Sequence, residues 1–172
     1  MRDGRESKFM AAVPQIKGLS TRSVFQALAT LRGPEVGTAV IERLGQSAQT
    51  QQLGELLRLG GILASTWYPL EWHGQLGCAS RQVSGERPEL IWGLGRESRA
   101  ADLSSVHKLF MGLLAPHTVL SISPRLFGNY YDTGTVAVTE ARKGYGLVEW
   151  TGCRGFDANL WTEILGGCEA LL

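Results

Sequence analysis

The residues that first suggest chemistry are Asp132, Thr133 and Gly134 in the stretch NYYDTGTVAVTE, followed downstream by EILGG at Gly166 and Gly167. An Asp-Thr-Gly triplet beside a strand, with an apolar pair and a glycine further on, is the arrangement of aspartic proteases. There two aspartates from facing loops share one proton. That chemistry needs the triplet in a loop between strands, with more strands and a flap before the glycine element. Between Asp132 and Gly166 there is room only for a hairpin, a loop and half a helix, and ILGG falls in a helical period. The turn chemistry of Asp and Gly accounts for the triplet without catalysis. Asp132 and Gly134 are therefore expected to make a bend feeding a strand, and the chain is not read as a protease.

Other reactive patterns are weaker. GLGRES, with Gly93 and Gly95, opens like a dinucleotide loop but lacks the third glycine and a preceding strand. It is read as a glycine-rich connection with exposed Arg96, Glu97 and Arg99. There is no Walker loop, nucleophile elbow or HExxH helix. His73, His107 and His117 share no metal spacing and are read as packed, hydrogen-bonded residues; a ligand histidine also needs an oriented partner. Cys78, Cys153 and Cys168 form an odd, widely spaced set without a CxxC pair, as expected of reduced thiols. No catalytic residue, metal or cofactor is assigned, and the expectation is a protein that is not an enzyme.

Three aromatics, Trp67, Tyr68 and Trp72, crowd one segment. Aromatics are favoured at interfaces, and core packing is the alternative reading. Arg81, Arg87, Arg96 and Arg99 are interleaved with acids and read as a solvated face, not a phosphate track. Formal net charge is +1, so no long-range field draws nucleic acid. No apolar run approaches the ~18 residues of a membrane span. The charged start MRDGRESK lacks the apolar stretch of a signal peptide, and the expected location is cytoplasmic.

The elements that must position these residues follow from periodicity. Residues 1–15 are expected to be a flexible tail, and residues 16–172 one domain, a length that buries roughly 70% of its unfolded surface. LSTRSVFQALATLRG predicts a helix with Val24, Phe25, Leu28 and Leu31 on one stripe, capped by Ser20 or Thr21. GPEVGTAVIERLG repeats the design with Val36, Val40 and Leu44. QTQQLGELLRLGG is a poorer helix interrupted by Gly54. A helix is expected to begin near Thr66, and PELIWGLGRES offers Leu90, Ile91 and Leu94 as a short apolar face. DLSSVHKLFMGLLAPH reads as a helix capped by Asp102, with Leu103, Val106, Phe110, Leu113 and Leu114 inward and His107 at the margin. Beyond Pro124 the period becomes alternating. TVAVTEA and LVEWT, joined by RKGYG, predict a hairpin with Val136, Val138, Val148 and Trp150 on one face. FDANLWTEILGGCEALL predicts a final helix capped by Asp157, with Leu160, Ile164, Cys168 and Leu171 on its apolar side. Helices, then a hairpin, then a helix give an α+β fold, an N-terminal helical part packed on a small antiparallel sheet with a C-terminal helix.

From PELIWGLGRES through HKLFMGLLAP, SPRLFGNYYDTGTVAVTEARKGYGLVEWTG and the final ILGGCEALL, the chain resembles a myxobacterial paralogous family of unknown function, over about Ile16 to the end. The layout is also distantly similar to haem–nitric-oxide-binding, 4-vinyl-reductase-type and transport-particle-like domains. That resemblance implies helices on a small antiparallel sheet, with an apolar pocket or a dimer. The haem signature Tyr-x-Ser-x-Arg is met only by Ser121-Ile122-Ser123-Pro124-Arg125, with serine for tyrosine and too close behind His107. The cysteine-bearing last strand of the vinyl-reductase type has no counterpart before Leu172. Relatives of this shape add a strand there, so the resemblance implies a hairpin edge that a partner chain or second copy covers.

The functional expectation is a non-enzymatic cytoplasmic interaction, scaffold or regulatory domain, with Trp67, Tyr68, Trp72, Val136 and Trp150 as interface candidates. The alternative is a sensor for a small apolar ligand, in a pocket near His107, Phe110 and Tyr130.

Overall fold

A computed structural model describes residues 12–85, 88–102, 116–143 and 145–171, with 116–119 and 171 described by backbone alone. Among these residues are seven helices and two antiparallel two-stranded sheets, the expected α+β class. Strand β1 (Gln15–Lys17) leads directly into α1 (Gly18–Arg32), followed by α2 (Pro34–Gly45) and α3 (Gln51–Arg58). Strand β2 (Trp67–Pro69) returns to pair with β1, with Ile16 opposite Tyr68, and continues as α4 (Leu70–Val83). Then come α5 (Pro88–Asp102), α6 (Pro116–Tyr130), β3 (Thr135–Arg142), β4 (Tyr145–Thr151) and α7 (Ala158–Leu171).

Two starts differ from expectation for one physical reason. The helix expected from Thr66 begins only at Leu70, because Pro69 holds the residue before it extended and so favours a short strand. That strand positions the loop before it. The N–H groups of Gly18 and Leu19 donate to Thr66 O (2.9 Å) and Ala64 O (3.0 Å). The start of α1 is thus satisfied by incoming carbonyls, and Ser20 and Thr21 are released from the expected capping role. They are buried in the interior instead.

Three further expectations are corrected. Leu31 is exposed at the end of its stripe. GLGRES lies inside α5 rather than in a connection, and Arg99 is not solvent-facing. Asp102 is the last residue of α5, and the helix expected to follow it, with Leu103, Val106, His107, Phe110, Leu113 and Leu114, lies outside the described residues. Helix α6 runs through Pro124 to Tyr130, past the point where an alternating period was expected. A proline in mid-helix forfeits a backbone hydrogen bond. The packing of Phe127 and Tyr131, ring centroids 4.7 Å apart, offsets that loss at the helix's far end.

Two apolar clusters result. Helices α1 to α5 enclose the larger, with Leu28, Val40, Leu53, Leu76 and Leu94 almost fully buried. The smaller gathers Ile16, Leu70, Phe127, Tyr131 and Leu160, with Val136, Trp150 and Phe156 packed against it. The hairpin lays Val136 opposite Trp150 and Val138 opposite Val148, then a bulge shifts the register so that Glu140 faces Leu147. Asp132 and Gly134 form the bend before it, as expected. Gly134 takes φ +83°, and Asp132 Oδ1 accepts the Gln15 N–H at 2.6 Å.

Helices α5 and α7 approach through glycine. A Cβ on Gly95 would fall onto the carbonyl oxygen of Glu163, and one on Gly166 onto that of Trp92. Both obstacles are backbone, which cannot swing aside. Gly95→Ala and Gly166→Ala are each expected to lower unfolding free energy in urea by about 2–3 kcal/mol, through forced separation of the helices. Gly128→Ala on α6, where nothing lies within 4 Å of the new methyl, is expected to raise it by a few tenths to about 1 kcal/mol.

Candidate functional site

The close crossing of α5 and α7 brings charged side chains into the interior. Glu163, on α7, is only 6% exposed and meets His73 of α4, with Nε2 2.7 Å from Oε2. The other ring nitrogen, Nδ1, lies 3.1 Å from Thr21 Oγ1 on α1. An ionised carboxylate only accepts, so Nε2 carries a proton and donates it to Glu163. One turn along α5, Arg99 donates to Ser20 Oγ (2.9 Å) and Asp102 Oδ2 (3.2 Å). Asp102 Oδ1 accepts from Ser23 at 2.5 Å. The Arg99 guanidinium also lies 4.1 Å from the centroid of the Tyr130 ring, a cation–π contact. Side chains from α1, α4, α5, α6 and α7 thereby meet in one polar cluster where the two apolar clusters adjoin.

The electrostatics follow from burial. Desolvation alone would weaken the proton affinity of Arg99, but the acidic groups Tyr131, Tyr130, Glu163 and Asp102 more than offset it, so its pKa is raised. Burial pushes the Tyr131 phenol well up, partly countered by Arg99, and does the same to Tyr130. It also raises the Cys168 thiol, again against the pull of Arg99, and the Cys153 thiol. Among the described residues of this cluster, two buried atoms have no hydrogen-bond partner, Tyr131 Oη and Glu163 Oε1.

Thr21, His73 and Glu163 reproduce the order of a nucleophile, a base and an orienting acid. Access decides what the arrangement can do. Thr21 is 2% and His73 3% exposed, and neither described cleft is lined by any of the three. The trio is a closed hydrogen-bond network that fixes α1, α4 and α7 to one another. Among the described residues no group of three His, Cys, Asp or Glu side chains is placed to hold a metal ion.

The two clefts lie elsewhere. One, of ≈ 350 Å³, is lined by residues including Val13, Leu70, Glu71, Cys78 and Asp157. The other, of ≈ 170 Å³, is lined by residues including Arg43, Gln46, Gln49 and Gln82. Gln75 and Cys78 line both.

The candidates named from sequence fall in three places. Tyr68 and Trp72 pack against the larger core, their rings 6.0 Å apart, while Trp67 lies under Lys17 Nζ at 4.1 Å. Val136 and Trp150 face the smaller core, where Trp150 meets Trp161 edge-on at 6.0 Å. Tyr130 borders the polar cluster, while His107 and Phe110 lie outside the described residues, as does Arg87. Sequence reasoning missed Glu163 and Arg99. The only available signal was a charged residue on an otherwise apolar helical stripe, Glu163 one position before Ile164. Neither protein-family models nor curated proteins give a match to this chain.

Breaking the network is expected to be costly in one place and free in another. Glu163→Ala leaves His73 Nε2 without its acceptor and should lower unfolding free energy by about 3 kcal/mol. Tyr131→Phe removes only an unpartnered hydroxyl, so it should change stability by less than about 1 kcal/mol. Alkaline pH separates the same phenol. Above about pH 10 the unfolded chain sheds phenolic protons that the folded Tyr131 keeps, so stability falls as pH rises. Chemical denaturation at stepped pH should show a shallower fall in Tyr131→Phe.

Proposed function

We propose that this chain is a non-enzymatic cytoplasmic interaction domain, scaffold or regulatory in role, that pairs with a second copy by strand addition along β4. The observation that carries this reading is the hairpin. Strands β3 and β4 form a sheet of two, and among the described residues no further strand pairs with either. The two outer edges are not equivalent. Strand β3 carries the bulge and the charged pair Glu140–Arg142, devices that discourage added strands. Strand β4 is regular over seven residues, contains Glu149 as its one charge, and leaves Tyr145 44% and Leu147 42% exposed. A strand added there would satisfy its free backbone groups and cover these side chains.

A second reading rests on the polar cluster. Two unpartnered buried atoms near Tyr130 and Arg99 are what a small-ligand sensor would present, and Tyr130 packs against the smaller apolar cluster on one side and Arg99 on the other. Native mass spectrometry with an absorption spectrum separates the two, since extra mass or a chromophore on the purified chain supports the sensor.

For the leading reading, multi-angle light scattering at micromolar concentration should give the mass of two chains. Leu147→Lys should give the mass of one, with unchanged helical circular dichroism. A wild-type particle of single-chain mass, with β4 amides exchanging as fast as an open edge, sinks the proposal.

A further inference from the structure

The two clefts share a floor. Glu71, Gln75, Cys78 and Gln82 follow one another along α4 at spacings of four, three and four, so they form a single stripe over three turns, about 16 Å long. The larger cleft covers Glu71, Gln75 and Cys78, and the smaller covers Gln75, Cys78 and Gln82. They therefore meet at Gln75 and Cys78 as one groove with two lobes.

Its ends carry opposite charge. At one end stand Glu71 and Asp157 above the apolar surfaces of Val13, Pro14, Leu70 and Leu160. Asp157 Oδ1 accepts the Leu160 N–H at 2.8 Å to cap α7, and Oδ2 lies over Gly74, 3.0 Å from where a Cβ would be. At the other end Arg43 donates through Nε to Gln82 Oε1 (2.8 Å) and through Nη1 to Gln46 Oε1 (2.7 Å). These acceptors are neutral amides. They fix the guanidinium without cancelling its charge, and their NH₂ groups remain as donors. Among the described residues neither Glu71, Asp157 nor Arg43 is in an ion pair. At the waist Asn159 Nδ2 donates to Cys78 Sγ at 3.4 Å, and its Oδ1 accepts at 3.0 Å from Arg81, a guanidinium that lines neither lobe.

We propose that this groove binds an extended segment of a partner protein. The segment places a basic side chain against Glu71 and Asp157, and an acidic one against Arg43. The length decides the ligand class, because about 16 Å is the span of roughly five extended residues and too long for one amino acid. The glutamine amides along the route suit backbone carbonyls, and the apolar surfaces beneath the acidic lobe suit the methylene stem of lysine or arginine. This site lies on α4, apart from β4, and stands or falls independently of strand addition.

Blocked pentapeptides test it, with three alanines between terminal residues that are Lys and Glu, both Lys, or both Glu. Each is titrated into the ¹⁵N-labelled full chain by NMR. The Lys/Glu peptide is expected to shift the amides of Gln75, Cys78 and Gln82 and to bind about threefold more tightly than either like-charged peptide, the scale of exposed ion pairs. Arg43→Glu makes both lobes acidic, so the Lys/Lys peptide should then bind best. Because Arg43 is exposed and bonded only to glutamines, that variant should keep the wild-type fold, visible in the same spectra. The proposal is overturned by an absence of shifts at millimolar peptide, by an order of affinities unchanged in Arg43→Glu, or by acetate and ethylamine reproducing the shifts at equal concentration.

Discussion

The packing of this protein depends on two helix backbones being allowed to touch. Gly95 on α5 and Gly166 on α7 each stand where any side chain would strike the partner helix's carbonyl, and Gly167 packs beside Arg99. Helices usually cross at 8–10 Å because side chains hold them apart. Removing those side chains draws the last helix in beside α5, though residues 103–157 lie between. Its Glu163 is thereby carried into the interior rather than to the surface.

The polar cluster is a consequence of that proximity. A carboxylate forced inside must find a donor, and His73 provides it, itself oriented by Thr21. Arg99, on the same face of α5 one turn beyond Gly95, is likewise enclosed and bonded to Ser20 and Asp102. Removing Glu163, His73 or Asp102 from it leaves a buried partner unsatisfied. Apolar contacts set how much is buried, and the polar contacts set which helix lies against which.

Features written in adjacent residues were legible in the sequence, and features written between distant ones were not. The bend at Asp132 and Gly134, the hairpin and the Asp157 cap are local chemistry, and each stands where the pattern put it. GLGRES and ILGG were each visible as glycine-rich. Read locally, glycine signals a turn or a ligand loop, and only their contact in space shows that both serve one helix crossing. Arg99 looked solvated because its counter-charges are not all its neighbours in sequence. Strand β1 is three residues long, too short for any period to register, yet it ties the start of α1 to β2 and Tyr131. The groove on α4 was hidden for the same reason, since its opposing walls come from α2 and from the residues leading into α7.

The bulge between Val138 and Glu140 changes how this hairpin can grow or shrink. Up to Val138, even-numbered residues of β3 point toward the helices, and past the bulge the odd ones do, with Ala141 opposite Gly146 beside Leu120. The extra residue is what turns the Glu140 carboxylate outward. Loss of Thr139 alone would remove the bulge and keep both flanking pairs, Val138 with Val148 and Glu140 with Leu147, on their present faces, whereas loss of a matched couple, one from each strand, would keep the pairing but turn every residue between there and the turn to the other face. Length variation here is therefore uneven: the misfit residue can go alone, and the regular positions of β3 only two at a time.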